Sequence, residues 1–195
     1  MQTPHVNRRG DTYYIFQGKT KTGKPKYFAS KRETSEKGVR VDSLPEEFEI
    51  FENPSNGTVV VRRRKASRVL PSERDLVDRL AVELSAHSCV QTIVDGDRIV
   101  IYTPDTDPTV AAAALGRIFG SAASLATEWT TQHTRYSAEM RFTIEDVDQR
   151  TYFAERYCYR GSVDGWIEIG GLAPLESLVR KLVPHLGRES FYELM

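Results

Sequence analysis

The stretch GKTKTGKP, residues 18–25, nearly completes a phosphate-binding loop. Gly18, Gly23 and Lys24 satisfy the pattern G-x-x-x-x-G-K-[ST], and Pro25 then stands where the Mg²⁺-binding hydroxyl belongs. Such a loop works by wrapping phosphates in backbone N–H groups at the start of a helix. Pro25 has neither a hydroxyl nor an N–H, and it steers Lys24 out of helical conformation. The next residues, KYFAS, favour a strand. Three requirements fail together, so the segment reads as a hairpin turn carrying solvated lysines.

Those lysines suggest a different chemistry. Lys19, Lys21, Lys24 and Lys26 fall within eight residues, and Arg62, Arg63, Arg64 and Lys65 form a second basic run. Tyr13, Tyr14, Phe16, Tyr27 and Phe28 lie among or beside the first group. Basic hairpins with aromatic residues can track a nucleic-acid backbone, although aromatics alternating along strands more often form a core. A second cluster, ERYCYRGSVDGW, supplies Arg156, Tyr157, Arg160, Asp164 and Trp166, types enriched at protein interfaces. It reads equally well as a turn that packs Trp166 beneath a helix.

Other constellations are weaker. Asp95/Asp97 and Asp105/Asp107 form two D-x-D pairs of a type that can hold Mg²⁺, but the first flanks a hairpin turn and the second leads into a helix. Residues 71–180 contain no lysine to complete a nuclease-like site. His5, His87, His133 and His185 lack metal-ligand spacing, and Ser190 lacks the G-x-S-x-G setting of a hydrolase nucleophile. No catalytic residue, metal or cofactor is expected.

The elements that would position these groups are readable. TYYIFQG and KYFAS flank the lysine turn, and FEIFE and TVVVRRRK flank the turn signal ENPSNG. A helix follows in PSERDLVDRLAVELSAH, with Ser72 as N-cap, Asp75 in a capping-box position and an apolar stripe of Leu76, Leu80 and Leu84 beside Val77 and Ala81. CVQTIV and RIVIYT flank Asp95-Gly96-Asp97 as a hairpin. Asp107 caps a helix reaching Gly120, and SAASLATEWTTQHT could extend it. A hairpin turning at Asp146–Gln149, a short strand GWIEI, and a last helix with Leu175, Leu178, Val179 and Leu182 on one face complete the pattern. Phe191, Tyr192 and Leu194 make an apolar tail expected to be buried. The expected fold is α+β: a basic antiparallel β module over residues 1–66, then an α+β body over 67–195 with two hairpins and at least three helices.

Composition fits a globular chain, with 39% hydrophobic and 28% charged residues among 195. Two cysteines, Cys89 and Cys158, are too few for a disulfide framework or a zinc cage. No apolar run reaches the roughly 18 residues of a membrane span, and the N-terminus has no secretory apolar core, so a cytoplasmic protein is expected. Net charge is zero but divided: residues 1–70 hold 15 Lys and Arg against 8 Asp and Glu, and residues 71–195 hold 12 against 19. That division suggests an anionic partner for the basic part, or docking of one part on the other.

The segments GKTKTGKPKYFAS…LPEEFEIFENPSNG and ERYCYRGSVDGWIEIGG…HLGRESFYEL resemble stretches shared by a family of uncharacterised prokaryotic proteins. The resemblance covers the first sixty residues and roughly the last fifty, and it implies no activity, cofactor or site residue. The hairpin is also distantly similar to small basic three-stranded DNA-binding modules of integrase arms. The sequence therefore favours a non-catalytic nucleic-acid-binding protein, with a protein–protein adaptor as the alternative and an enzyme third. Calorimetry with Mg-ATP is expected to show no saturable heat; a micromolar signal lost in Lys24→Ala would restore the nucleotide-loop reading.

Overall fold

The computed structural model describes residues 4–119, 128–130, 132–160 and 162–195; the side chains of Ile118, Phe119 and Arg160 lie outside the described residues. The chain is an α+β protein of two compact units, one comprising residues 1–64 and 128–135, the other 65–127 and 136–195.

In the first unit, β1 (His5–Val6), β2 (Thr12–Lys19), β3 (Pro25–Ser30) and β4 (Val39–Arg40) form an antiparallel sheet in which β2 pairs with the other three strands. A separate two-stranded sheet joins β5 (Phe48–Glu52) to β6 (Val59–Arg63). Alternation along β2 turns Tyr13 and Ile15 into a small core with Ile50 and Val59. On the opposite face of β2, Phe16 is buried and its ring stacks on Phe28, with centroids 5.5 Å apart. Residues 128–130 and 132–133, also in this unit, are helical; residues 120–127, where the sequence allowed a further helix, lie outside the described residues.

The second unit is built on one five-stranded antiparallel sheet, ordered β11-β10-β9-β8-β7. Its strands are β7 (Gln91–Asp95), β8 (Arg98–Pro104), β9 (Tyr136–Asp146), β10 (Thr151–Arg160) and β11 (Val163–Pro174). The two expected hairpins thus belong to a single sheet. The short strand expected at GWIEI is a twelve-residue strand, bulged near Ala154, where Gly170 leaves room for Leu178 and Leu182. Helices α1 (Pro71–Leu84), α2 (Pro108–Phe119) and α3 (Leu175–Leu182) complete it. Val77, Leu80 and Ala81 of α1 and Leu175, Leu178, Val179 and Leu182 of α3 share a core with Ile99, Ile101, Met140, Phe142 and Tyr152 of the sheet.

Helix α1 begins earlier than expected. Leu70, not Ser72, is the N-cap, and Pro71 takes the first helical position, where its missing N–H costs nothing. Glu73, not Asp75, reaches back to accept the Leu70 N–H at 2.8 Å. Arg150, at φ +50°, bonds the same carboxylate. Burial works to raise the Glu73 pKa, and the bonds from Arg150 and Leu70 outweigh it and lower it.

The C-terminal tail packs through residues three apart. Phe191 is buried and Leu194 partly so, whereas Tyr192 is 69% exposed, contrary to the expected burial of all three. The 3-10 turn Glu189–Glu193 points Phe191 inward and leaves its neighbour outside. Phe191→Ala should cost about 3–5 kcal/mol in chemical denaturation, and Tyr192→Ala less than about 1 kcal/mol. Equal effects would mean that the tail does not pack this way.

Candidate functional site

The hairpin between β2 and β3 is a tight turn. Thr20 donates its N–H to the Lys24 carbonyl at 2.8 Å, Gly23 donates to the Thr20 carbonyl at 2.9 Å, and Gly23 adopts φ +80°. A left-handed glycine closing a three-residue loop is a common hairpin solution. Strand β3 starts at Pro25, so no helix follows the glycines.

All four hairpin lysines are exposed. Their faces differ. Lys19 pairs across from Pro25 on the side of Ile15, and Lys26 pairs across from Gly18 on the side of Phe16 and Phe28. Lys21 and Lys24 lie in the turn. The group therefore surrounds the tip of a finger and does not line one flat surface. None of the four forms a salt bridge among the described residues, and the same holds for Arg32 and Lys37. Lys31, by contrast, bonds Asp11 at 2.7 Å.

The second basic run is divided. Arg62 bonds Glu49 at 2.8 Å and lies 3.8 Å from the Phe51 ring centroid. Arg63 sits over Phe48, whose ring meets Tyr27 of the hairpin at 4.8 Å. Arg63 thus joins the Lys19 side of the finger through two rings. Arg64 is exposed and its backbone N–H bonds Glu47. Lys65 belongs to the second unit, where Asp95 holds it at 2.8 Å. Asp97 likewise binds the Arg68 side chain and N–H. The first acidic pair therefore fixes the 65–68 segment to the β7–β8 turn.

Residues 28–37 add something the sequence did not disclose. The chain leaving β3 crosses the Phe16/Phe28 face before entering β4, and a cavity of about 710 Å³ lies beside it, lined by Phe28, Ser30, Arg32, Thr34, Glu36 and Lys37 among others. Phe28 stands out in the sequence as one of the hairpin aromatics, but nothing in the local pattern joins it to Arg32 or Lys37. The close approach is permitted by glycines: a Cβ on Gly18 would collide with the Lys37 carbonyl, and one on Gly38 would meet the Gln17 carbonyl oxygen at 2.7 Å.

The Arg/Tyr/Trp cluster separates across the second unit's sheet. Arg156 is buried on the helix face, where its guanidinium donates to the carbonyls of Leu194 at 2.9 Å and Tyr192 at 3.1 Å. It anchors the tail and is no surface contact. Tyr157, Asp164 and Trp166 lie on the other face, with Tyr157 edge-on to Trp166 and its hydroxyl bonded to Asp164. That bond raises the Tyr157 pKa. The Arg160 side chain lies outside the described residues. Arg141 and Glu155, unremarked in the sequence, form a two-pronged ion pair at 2.5 and 2.7 Å beneath Trp166. Their opposite charges about a hairpin turn were the available signal.

A cleft of about 540 Å³ in the second unit is lined by His87, Asp105, Ser137, Glu139, Arg188, Glu189 and Tyr192 among others. Ser137 donates to Asp105 at 2.6 Å. Burial lowers the His87 pKa, opposed by Asp107. Asp107 caps α2, accepting from Thr109 and Ser88. Burial works to raise its pKa, but these bonds hold the carboxyl well below the usual range. Among the described residues no three His, Cys, Asp or Glu side chains are placed to hold a metal, and no helix is long and apolar enough to cross a membrane. The chain matches no family model, no curated protein and no solved structure.

Glu139 offers a test of the cleft's electrostatics. Burial raises its pKa, the Asp105 carboxylate adds to this, and Arg156 opposes both. The native state thus keeps a proton that the unfolded state has already released, and stability falls as pH rises through that window. Glu139→Gln should raise the melting temperature near neutral pH. The gain should vanish as the pH falls below the ordinary glutamate value of 4.5. A loss of stability at neutral pH would instead make the carboxylate a required partner of Arg156.

Proposed function

We propose that the chain binds nucleic acid through the β2–β3 finger, with Lys19, Lys21, Lys24 and Lys26 as the phosphate contacts and Arg63 and Arg64 beside them. One observation carries this reading: the four lysines are exposed and have no acidic partner among the described residues, while the neighbouring Lys31 and Arg62 are neutralised by acids. Unpaired cations gathered at one tip supply the sequence-independent attraction that dominates nucleic-acid affinity. Arg62 and Lys65 are left out of the interface because Glu49 and Asp95 hold them.

A second reading has its own support. Tyr159 is 83% exposed and Val163 43% exposed at the β10–β11 turn, next to Tyr157, Asp164 and Trp166. An aromatic tip of this kind suits a protein partner. Arg156 has no part in it.

Contact with about four phosphates gives a slope of log K against log salt near −3.6 on duplex and −2.8 on a single strand. Replacing Lys21 and Lys24 together by Glu should weaken binding by at least tenfold and roughly halve the slope in a gel-shift titration of the full chain. A full-strength complex in that variant would remove the finger from the interface, and a partner captured through Tyr159 would then favour the adaptor.

A further inference from the structure

The finger's geometry bears on which form of nucleic acid it takes, an inference that rests on the nucleic-acid reading. Lys19 and Lys26 project from opposite faces of the hairpin, so the lysines do not form a flat comb against a duplex. Lys26 does share a face with Phe28, two positions along β3, about 6.6 Å away along the strand. One side of the Phe28 ring stacks on Phe16, and Phe28 also lines the 710 Å³ cavity. That volume lies within the range of about 300–1,000 Å³ typical of small-molecule sites.

The cavity's polar lining suits a nucleotide. Arg32 and Lys37 are exposed cations with no acidic partner among the described residues. The Ser30 and Ser35 hydroxyls each accept a backbone N–H at 3.1 Å, from Arg32 and Lys37, which leaves their own protons available to donate. Glu36, the carboxylate in the lining, can accept an exocyclic amine of a base. An aromatic ring with cations on either side is the recurring platform for splayed bases. A base stacked and paired within a duplex cannot enter such a cavity.

We propose that the ligand is single-stranded nucleic acid, with one unstacked base held against Phe28 in the cavity beside residues 30–37 and its flanking phosphates on Lys26, Arg32 and Lys37. The tip lysines Lys21 and Lys24 then attract the chain of phosphates beyond this nucleotide.

The test is a fluorescence-anisotropy titration of the full chain against a labelled single strand of mixed sequence and against the duplex formed with its complement. The single strand should bind more tightly. Phe28→Leu should weaken single-strand binding about five- to hundredfold and leave duplex binding unchanged, which also reports that the variant is folded. Arg32→Glu, at an exposed position, should weaken the single strand more than the duplex, which feels only the altered field. Equal binding of strand and duplex, with Phe28→Leu and Arg32→Glu indifferent, would overturn the base-cavity inference. If Lys21→Glu with Lys24→Glu still weakened both complexes by at least tenfold, the nucleic-acid reading itself would stand. Binding of neither probe by the unaltered chain would overturn both.

Discussion

The passage of residues 37–38 across β2 is the constraint on which the candidate site depends. Two backbones meet there at a distance that admits no side chain: Gly18 lies against the Lys37 carbonyl, and Gly38 against the Gln17 carbonyl. This contact fixes where the chain leaving β3 crosses the Phe16 face, and hence where it can enter β4 beside Phe16 and Gln17. On that face Phe16 is buried and Phe28 lies at the wall of a cavity. Arg32 and Lys37 line that cavity beside the crossing. A glycine read as half of a failed phosphate loop thus has a packing role on the opposite side of the hairpin.

The second unit is governed by a different constraint, the placement of charge on the covered face of a sheet. Arg156 points where apolar side chains belong, and a buried guanidinium without partners would cost several kcal/mol. The Leu194 and Tyr192 carbonyls meet that need, and the Phe191 ring lies beneath the cation at 5.7 Å. The C-terminal residues are therefore held by charge as well as by the burial of Phe191. At the other end of the sheet, Tyr152 is buried beside the Arg150–Glu73 pair, and its pKa is pushed up first by burial and then by Glu73. That pair ties the β9–β10 turn to the start of α1. An ion pair thus closes one end of the apolar core, and an arginine bonded to backbone carbonyls closes the other.

Periodicity exposed the helices and their buried stripes, because Val77, Leu80 and Ala81, or Leu178, Val179 and Leu182, recur at helical spacing whatever they pack against. Turn chemistry exposed the hairpins for the same local reason: Gly23 and Gly96 take positive φ at their turns. What was hidden depends on partners distant in sequence. Glu73 was passed over as a cap because Leu70 looks nothing like an N-cap residue. The strand at GWIEI looked short because Gly170, Gly171 and Pro174 are poor strand formers, yet β10 pairs with it along its length. Arg156 and Tyr157 looked like one cluster because they adjoin in sequence, and adjacency in a strand means opposite faces. The cavity was invisible because loop residues 31–38 carry no period that says which face they cross.

The basic groups of the first unit differ in what they do for the fold. Arg8 bonds the Pro54 carbonyl at 2.5 Å, Arg62 bonds Glu49, and Lys31 bonds Asp11; these connect strands or loops and have structural work. Lys19, Lys21, Lys24 and Lys26 have none. Acids are not scarce, since the carboxylates of Glu46 and Glu47 pair with no cation among the described residues. Lys21 and Lys24 lie in the turn beyond the last strand pair, Lys19 with Pro25, and Lys19 and Lys26 flank it at the ends of the two strands. An exposed lysine contributes little to stability either way, so four at one tip follow from no demand of packing or pairing. The turn between them is closed by the Thr20–Lys24 bonds. A hydrogen-bonded support with a field of one sign lowers the entropy lost when an anionic partner is bound, and it does so without drawing on the interactions that hold the unit together.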